Sequence, residues 1–442
     1  MLDKTLKKHD PEIAELIEKE RARQATGLEM IPSENHSSPA VRAALGSVLT
    51  DKYSEGYPKK RYYGGNQFID QVEILAQERA KKLFGVPYAN VQPYSGSPAN
   101  QAVYFAVLEP GEVVMGQHLF AGGHLTHGWG VNFSGRFYQS VQYPVKTDGY
   151  LDLEEIRKLA LTHKPKLIWC GATAYARELP FKAMGEIADE VGAYLAADIA
   201  HVAGLVAGGA HTSPEPFVHI ITTTTHKTLR GPRGAMIMVT KKGLKKDPEL
   251  AEKIDKAVFP GLQGGPHNHQ TAAIAVALAE AMRPEFKIYA DQIVKNAKAL
   301  ASSLLAEGIK LVSGGTDNHL ILIDLTPFGP GKGLFAQEGL ELAGITANKN
   351  TIPSDPSSAF YPSGLRLGTP ALTTRGMKEV EMTLIGKLIA TVLKKSCRFD
   401  FPEAKDEKNQ AIKNFRQAVL DDDELKTIRR SVARLAKKFP LP

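Results

Sequence analysis

Apolar residues recur at helical spacing from 11 to 23, where Ile13, Leu16 and Ile17 form one stripe and charges take the rest of the surface. This pattern predicts an N-terminal amphipathic helix, an arm that packs on another surface. Between 31 and 65 the periodicity vanishes and the chain becomes polar and rich in glycine and tyrosine. Long irregular stretches inside compact proteins are often functional. Helical spacing returns over 67–84, with Ile69, Val72, Leu75, Ala76 and Ala80 facing one way and Gly85 placed to end it. Short apolar runs then alternate with helical stretches. Strands are predicted at 89–92, 113–116, 166–170, 194–198, 220–223 and 235–239, and helices at 98–108, 153–162, 183–191 and, interrupted by glycine, after Asp198.

That alternation predicts an α/β fold whose mostly parallel sheet is covered by helices on both faces. It also places a ligand at the carboxyl ends of the strands, where Asp198 and the run 222–227 fall. A helical stretch from 272 towards 305, broken at Pro284, reads as a connector. Beyond Gly308 a smaller α+β domain is expected, with strands at 319–325 and 364–367, helices at 334–343 and 377–395, and further helices in the charged tail 403–438. The expected organisation is an arm and active-site segment over 1–65, a large α/β domain over 66–282, and a small C-terminal domain with a helical tail over 283–442.

Composition adds limits. With 442 residues, 43% hydrophobic and 23% charged, the chain sits in the ordinary soluble globular range. The net charge of +7 comes without a basic block beyond pairs such as Lys241-Lys242. Anionic small ligands are therefore expected in preference to nucleic acid as the primary partner. Cys170 and Cys397 are too few for a disulfide framework or a zinc site, and the N-terminal residues lack the apolar core of a signal peptide. The expectation is cytoplasmic. The apolar stretch 191–210 is long enough to span a bilayer, but Asp198 at its centre would cost ~2.5–3.5 kcal/mol, so a buried strand, turn and helix are expected and no membrane partner.

Several clusters can carry chemistry. Lys227 closes the run Thr222-Thr-Thr-Thr-His226. A lysine in a Thr-rich turn is a surface residue unless its environment tunes the amine. Ser95-Gly96-Ser97 lies between a strand and a helix, where small residues let N–H groups approach an anion; taken alone, a plain capping turn is the stronger reading. His124 and His127 lie three apart in a glycine-rich loop that opposes a helix, and no third metal ligand is evident. An imidazole stacked on an aromatic ligand competes with ligation there, and no metal is expected. Asp198 at a strand end must be capped or must hold a cation, and His201 can share its site; a helix N-cap is the other reading. The glycine loop 261–265 either offers N–H groups to an anion or only turns the chain. Arg366, alone in an apolar segment, offers its planar fork to a carboxylate.

Together these are a lysine, a carboxylate 29 positions earlier, two anion cups, an imidazole and a carboxylate fork. Pyridoxal 5'-phosphate acting on an amino acid needs this set: an amine for its aldehyde, a carboxylate to keep the pyridine nitrogen protonated, and a cup for its phosphate. No Walker loop or Rossmann fingerprint competes.

The motifs Lys52-Tyr-Ser-Glu-Gly-Tyr-Pro58, Arg61-Tyr-Tyr-Gly-Gly65, Gly122-Gly-His-Leu-Thr-His-Gly128, Thr222-Thr-Thr-Thr-His-Lys227, Gln263-Gly-Gly-Pro266 and Ser313-Gly-Gly-Thr-Asp-Asn-His319 make the likeness specific. From 31 to about 376 the chain resembles the serine hydroxymethyltransferase family, of the aspartate-aminotransferase-like pyridoxal phosphate fold type I. The departures are Pro98, where glutamine is common, and Ile199, where methionine is usual.

The resemblance implies a large domain with a seven-stranded, mostly parallel sheet and a smaller α+β domain. It implies that Lys227 forms the internal aldimine, Asp198 pairs with the pyridinium, His124 stacks on the ring and His201 lies near its phenolic oxygen. Ser95, Gly96 and Ser97 would bind phosphate, helped by Thr173 and His226. Tyr53, Glu55, Tyr63, Gly264 and Gly265 would reach the active site of the neighbouring subunit in a homodimer or a tetramer. Arg366 and Ser33 would hold the substrate carboxylate, and Leu119, Gly123, Leu125 and Asn350 would line the folate site. The implied reaction converts L-serine and tetrahydrofolate reversibly to glycine and 5,10-methylenetetrahydrofolate, with Glu55 moving a proton. Its rivals are a folate-independent, threonine-aldolase-like β-hydroxy-amino-acid aldolase and, from another class, an RNA-binding protein.

Overall fold

The computed structural model describes residues 4–402 and 407–442. Seven strands build the main sheet: β1 (Tyr88–Asn90), β2 (Val113–Gln117), β3 (Gln139–Tyr143), β4 (Leu167–Cys170), β5 (Tyr194–Asp198), β6 (Ile220–Thr224) and β7 (Ala235–Val239). Their order is β1-β7-β6-β5-β4-β2-β3. β2 to β6 run parallel, and β7 is antiparallel to both of its neighbours. Successive side chains of a strand point to opposite faces, and helices cover both. Ile168, Leu195, Ile221 and Met236 enter one core with Phe181, Leu205 and Phe286, while Trp169, Ala196, Ile220 and Ile237 enter the other with Tyr104 and Ile254. Two-sided burial explains why these strands read as unbroken apolar runs.

Of the main-sheet strands, the one missing from the sequence expectation is β3. It lies at the sheet edge and pairs with β2 alone, so its sequence Gln-Ser-Val-Gln-Tyr carries little apolar signal.

A second core forms around β8 (Leu320–Asp324), β9 (Asn348–Asn350) and β10 (Gly364–Gly368), in the antiparallel order β8-β10-β9. Helices Gly333–Leu342, Glu379–Ser396, Lys408–Asp421 and Asp423–Lys438 pack on it. The expected tail helices are therefore present, apart from 403–406, which lie outside the described residues. Leu28 and Met30 of the N-terminal segment join the same core, and the strand Leu28–Glu29 pairs parallel with Ile345–Thr346. Helix Pro284–Ala306 links the two cores: Phe286 and Ile293 enter the first, Leu300 and Leu304 the second. Its first residue is proline, whose missing N–H would be an orphan there anyway, and this marks the break from Asn268–Ala281.

Arg375 ties the two ends of the chain together. Its guanidinium donates to the carbonyls of Gln24, Ala25 and Gly27 at 3.1, 3.1 and 2.8 Å, and to those of Ala436 and Phe439 at 2.6 and 2.7 Å. These carbonyls belong to the C-terminal ends of helices Pro11–Thr26 and Asp423–Lys438, where helix ends leave acceptors unpaired and the dipole favours a cation. The stripe on helix Pro11–Thr26 stays uncovered, with Ile13 46%, Leu16 58% and Ile17 43% exposed. Among the described residues no helix is long and apolar enough to cross a membrane.

Candidate active site

Asp198 is the last residue of β5, and it stands in register with Thr222 of β6. The carboxyl ends of these parallel strands therefore open on one side, as the alternation predicts. After Thr224 the chain doubles back towards β7. Gly231 N donates to Thr225 O at 2.7 Å, and a Cβ on Gly231 would lie 2.7 Å from that same oxygen, so the turn admits only glycine. Arg230 takes a left-handed conformation (φ 57°) and stacks its guanidinium 4.1 Å from the Tyr289 ring. This turn aims Lys227 into a small cavity lined by Gly96, His124, His127, Ala172, Thr173, Asp198, Ala200, His201 and Thr224. Asn35 braces the turn from the N-terminal segment, donating to Lys227 O at 2.9 Å and to the Tyr289 hydroxyl at 2.7 Å.

Charges in the cavity are tuned by burial and by one another. Asp198 Oδ2 accepts hydrogen bonds from Asn100 Nδ2 at 2.8 Å and His127 Nε2 at 3.1 Å, and Oδ1 accepts from Ala200 N at 3.0 Å. Burial works to raise its pKa, but the bond and charge of His127, then His124 and Asn100, outweigh it and hold the carboxyl well below the usual range. Burial lowers Lys227 to about 8; Asp198 opposes this, while Arg366 and Arg233 add to it. His124 is pushed to about 4, first by burial and then by His127, and its Nδ1 lies 2.6 Å from Thr126 Oγ1. It is thus a neutral, fixed ring. His201 is held neutral by burial and by the cations Lys227 and Arg366, with Nδ1 3.4 Å from His319 Nε2. Burial lowers His226 to about 3.

The Ser95-Gly96-Ser97 turn opens helix Gly96–Val107, and Ser95 makes no side-chain capping bond. The capping reading therefore loses its hydrogen bond and leaves the hydroxyl available. Gly96 lies so close to Thr224 that a Cβ would sit 2.8 Å from its Cγ2. The hydroxyls of Thr222 and Thr224 and Nδ1 of His226 are buried without a partner among the described residues. Buried polar atoms of this kind call for a ligand or water. Thr173 lies on another wall, where its hydroxyl donates to Gly123 O at 2.9 Å and its carbonyl accepts from Arg366.

Arg366 occupies the middle of β10, opposite Leu322 on one side and Asn348 on the other. Burial lowers it to about 10, and no carboxylate pairs with it among the described residues. Gly368 N donates to Met30 O at 2.8 Å, which lays the segment containing Ser33 along this strand. Thr351 Oγ1 donates to Phe120 O at 2.8 Å and so joins the loop holding Leu119, Gly123 and Leu125 to the end of β9 at Asn350.

Tyr53, Glu55, Tyr63, Gly264 and Gly265 form a separate group, and none of them lines the Lys227 cavity. The rings of Tyr53 and Tyr63 meet edge to face at 5.1 Å. A Cβ on Gly264 would lie 3.1 Å from Glu55 Oε1, and one on Gly265 would lie 3.2 Å from Tyr53 Cζ. Tyr53 and Tyr63 are 54% and 48% exposed.

The sequence reading gave no role to Asn35, Asn100 or His319 and found no third group for the histidine pair. The fold supplies that group in Asp198: ligand atoms of His124, His127 and Asp198 all lie within 4.8 Å of one another. His127, stacked on Trp169 at 5.0 Å, spends its Nε2 on the carboxylate. An amine of lowered pKa, an ionised buried carboxylate, a neutral imidazole face and unpartnered hydroxyls at a helix N-terminus fit a planar pyridinium aldehyde phosphate.

Known proteins bear on this geometry. The family model of serine hydroxymethyltransferase matches residues 6–389. A serine hydroxymethyltransferase of Acidothermus cellulolyticus is 55% identical over 434 residues, covering 98% of this chain and 96% of the relative. One of Sorangium cellulosum is 53% identical over 440 residues, covering 99% and 97%. The chain belongs to the serine hydroxymethyltransferase family.

Proposed function

We propose that the chain interconverts L-serine plus tetrahydrofolate and glycine plus 5,10-methylenetetrahydrofolate, with pyridoxal phosphate held in the Lys227 cavity. The observation that carries this reading is the pairing of a lysine of lowered pKa with an ionised Asp198 on one wall and an unpaired Arg366 beside it. When bound, pyridoxal phosphate supplies an aldehyde for amines and a ring that withdraws electrons from the bond to be broken.

The chain's own residues do the rest. Lys227, with a pKa near 8, offers a sizeable share of neutral amine at mildly alkaline pH. Asp198, oriented by Asn100, His127 and Ala200 N, holds a proton on the pyridine nitrogen. His124 provides a flat neutral face and His201 a neighbour for the phenolic oxygen. Ser95, Gly96 and Ser97 bind the phosphate, with His226 and Thr173 as further contributors. Arg366 and Ser33 would grip the amino-acid carboxylate and so orient the Cα–Cβ bond for cleavage. Leu119, Gly123, Leu125 and Asn350 line the folate side.

Glu55 moves the proton at the serine hydroxyl or a folate nitrogen, and Tyr63 helps to place the substrate. Both come from the neighbouring subunit of a homodimer, together with Tyr53, Gly264 and Gly265. The exposure of Tyr53 and Tyr63, their absence from the cavity of their own chain and the bare stripe of the N-terminal helix support that arrangement. The buried, unpaired thiols of Cys170 and Cys397 agree with a cytoplasmic enzyme. Assaying serine cleavage with and without tetrahydrofolate tests the reading. Turnover that requires the folate supports it, and equal turnover without it identifies a β-hydroxy-amino-acid aldolase.

A further inference from the structure

The motif Arg61-Tyr-Tyr-Gly-Gly65 holds a second polar side chain beside Tyr63. Arg61 itself is nearly sealed, with a side chain 4% exposed, and every part of its fork is used. Nε donates to Asp70 Oδ1 at 2.9 Å and Nη2 to Glu73 Oε2 at 2.6 Å. Nη1 donates to the carbonyls of Ser54 at 2.9 Å and Gly56 at 2.7 Å, the two residues that flank Glu55. Neighbouring groups complete the grip. Tyr62 N donates to Glu55 O at 3.1 Å, and Ser54 Oγ donates to Asn268 Oδ1 at 2.7 Å. Gln92 Nε2 bridges Gly56 O at 3.0 Å and Glu73 Oε1 at 2.8 Å. Gly56, at φ 91°, lies against Lys60 O so closely that a Cβ would come within 2.4 Å. The main chain is thus pinned at 54, 55 and 56, and the Glu55 carboxylate projects from it beside Gly264.

We propose that Arg61 is the positioning residue for Glu55, fixing the main chain on both sides of that carboxylate so that it enters the neighbouring subunit's site at a set depth. The inference rests on the reading of Glu55 as proton carrier. A planar guanidinium meets two carboxylates and two carbonyls at once, whereas a lysine ammonium has one centre and three donors and cannot span them. The carboxylates of Asp70 and Glu73 hold Nε and Nη2, and the two carbonyls share Nη1.

The test uses the cofactor-loaded enzyme with Arg61→Lys, Glu55→Gln and the double variant. The readouts are kcat and KM with serine and tetrahydrofolate, cleavage of 3-phenylserine without folate, the visible spectrum and the thermal midpoint. Arg61→Lys should lower the folate-dependent kcat by about tenfold to a hundredfold, while the KM for serine and the spectrum hold and folate-independent cleavage falls no further than it does in Glu55→Gln. The double variant should be no slower than Glu55→Gln alone, since residues acting through one group are not additive. If Arg61→Lys folds poorly, Arg61→Gln/Glu73→Gln removes the buried charge with its counter-charge and is read the same way. Losses that multiply on the Glu55→Gln background, a loss of folate-independent cleavage greater than that of Glu55→Gln, a full folate-dependent rate in Arg61→Lys, or misfolding of both variants would each overturn the clamp. A wild-type rate in Glu55→Gln instead overturns the assignment of Glu55 itself, so the two failures are told apart.

Discussion

Nε of Arg366 donates to Oδ1 of Asn348 at 3.1 Å, and this neutral amide is the sole side chain that hydrogen-bonds the guanidinium among the described residues. A partly buried cation set opposite an amide, with no carboxylate, is poised for an anion from outside. Replacing Arg366 with alanine should weaken serine binding by about a hundredfold or more, as expected for losing two charge-assisted bonds. Pyridoxal phosphate binding should change far less. Spectral titration with serine, beside a cofactor-binding titration, checks this, and equal loss of both would count against the role of Arg366.

Lys227 carries a pH prediction. Its pKa is lowered from 10.5 to about 8, chiefly by burial, so the neutral amine prevails above about 8. The rate at which the apoenzyme takes up pyridoxal phosphate, followed by absorbance, should rise with pH and level off past that value. Over the same window the unfolded chain still holds a proton that the folded chain has released, so this group makes apoenzyme stability rise with pH from about 8 to 10.5. A midpoint at the ordinary lysine value would remove the tuning argument. Lys227→Ala should abolish both turnover and the imine absorbance.

Arg375 is a stability residue by the same reasoning. Its removal takes a charged donor from five helix-end carbonyls, of which Ala436 O keeps a bond from Phe439 N, so Arg375→Ala should cost about 3 kcal/mol or more. Chemical denaturation should show the loss, and proteolysis should find the helices Pro11–Thr26 and Asp423–Lys438 opened first. A midpoint unchanged from wild type would make the staple redundant.

Much of this was legible beforehand, for physical reasons that also explain the omissions. Strands β4 to β7 are buried on both faces, so their apolar runs stand out, and Asp198 and Lys227 fall at their ends. β3 lies at the edge with one neighbour, and its alternation is too polar to register. The partners Asn35, Asn100 and His319 reach site groups 192, 98 and 118 positions away through side-chain hydrogen bonds. Such contacts leave no periodic trace in a sequence. The Arg61 grip is closer in the chain, but its purpose shows only once the carbonyls of Ser54 and Gly56 are seen on one fork.

The central claim is a site made by Lys227 of one subunit and Glu55 of its neighbour, and mixing two inactive variants tests it directly. Lys227→Ala and Glu55→Gln subunits, co-refolded in equal amounts, form hybrids in which one site pairs a native Lys227 with a native Glu55 from the other chain. Random pairing predicts recovery of about a quarter of wild-type activity, since half of the dimers are hybrids with one good site of two. If both residues served the same chain's site, every site in the mixture would lack one of them, and activity no higher than that of the separate variants would contradict the account.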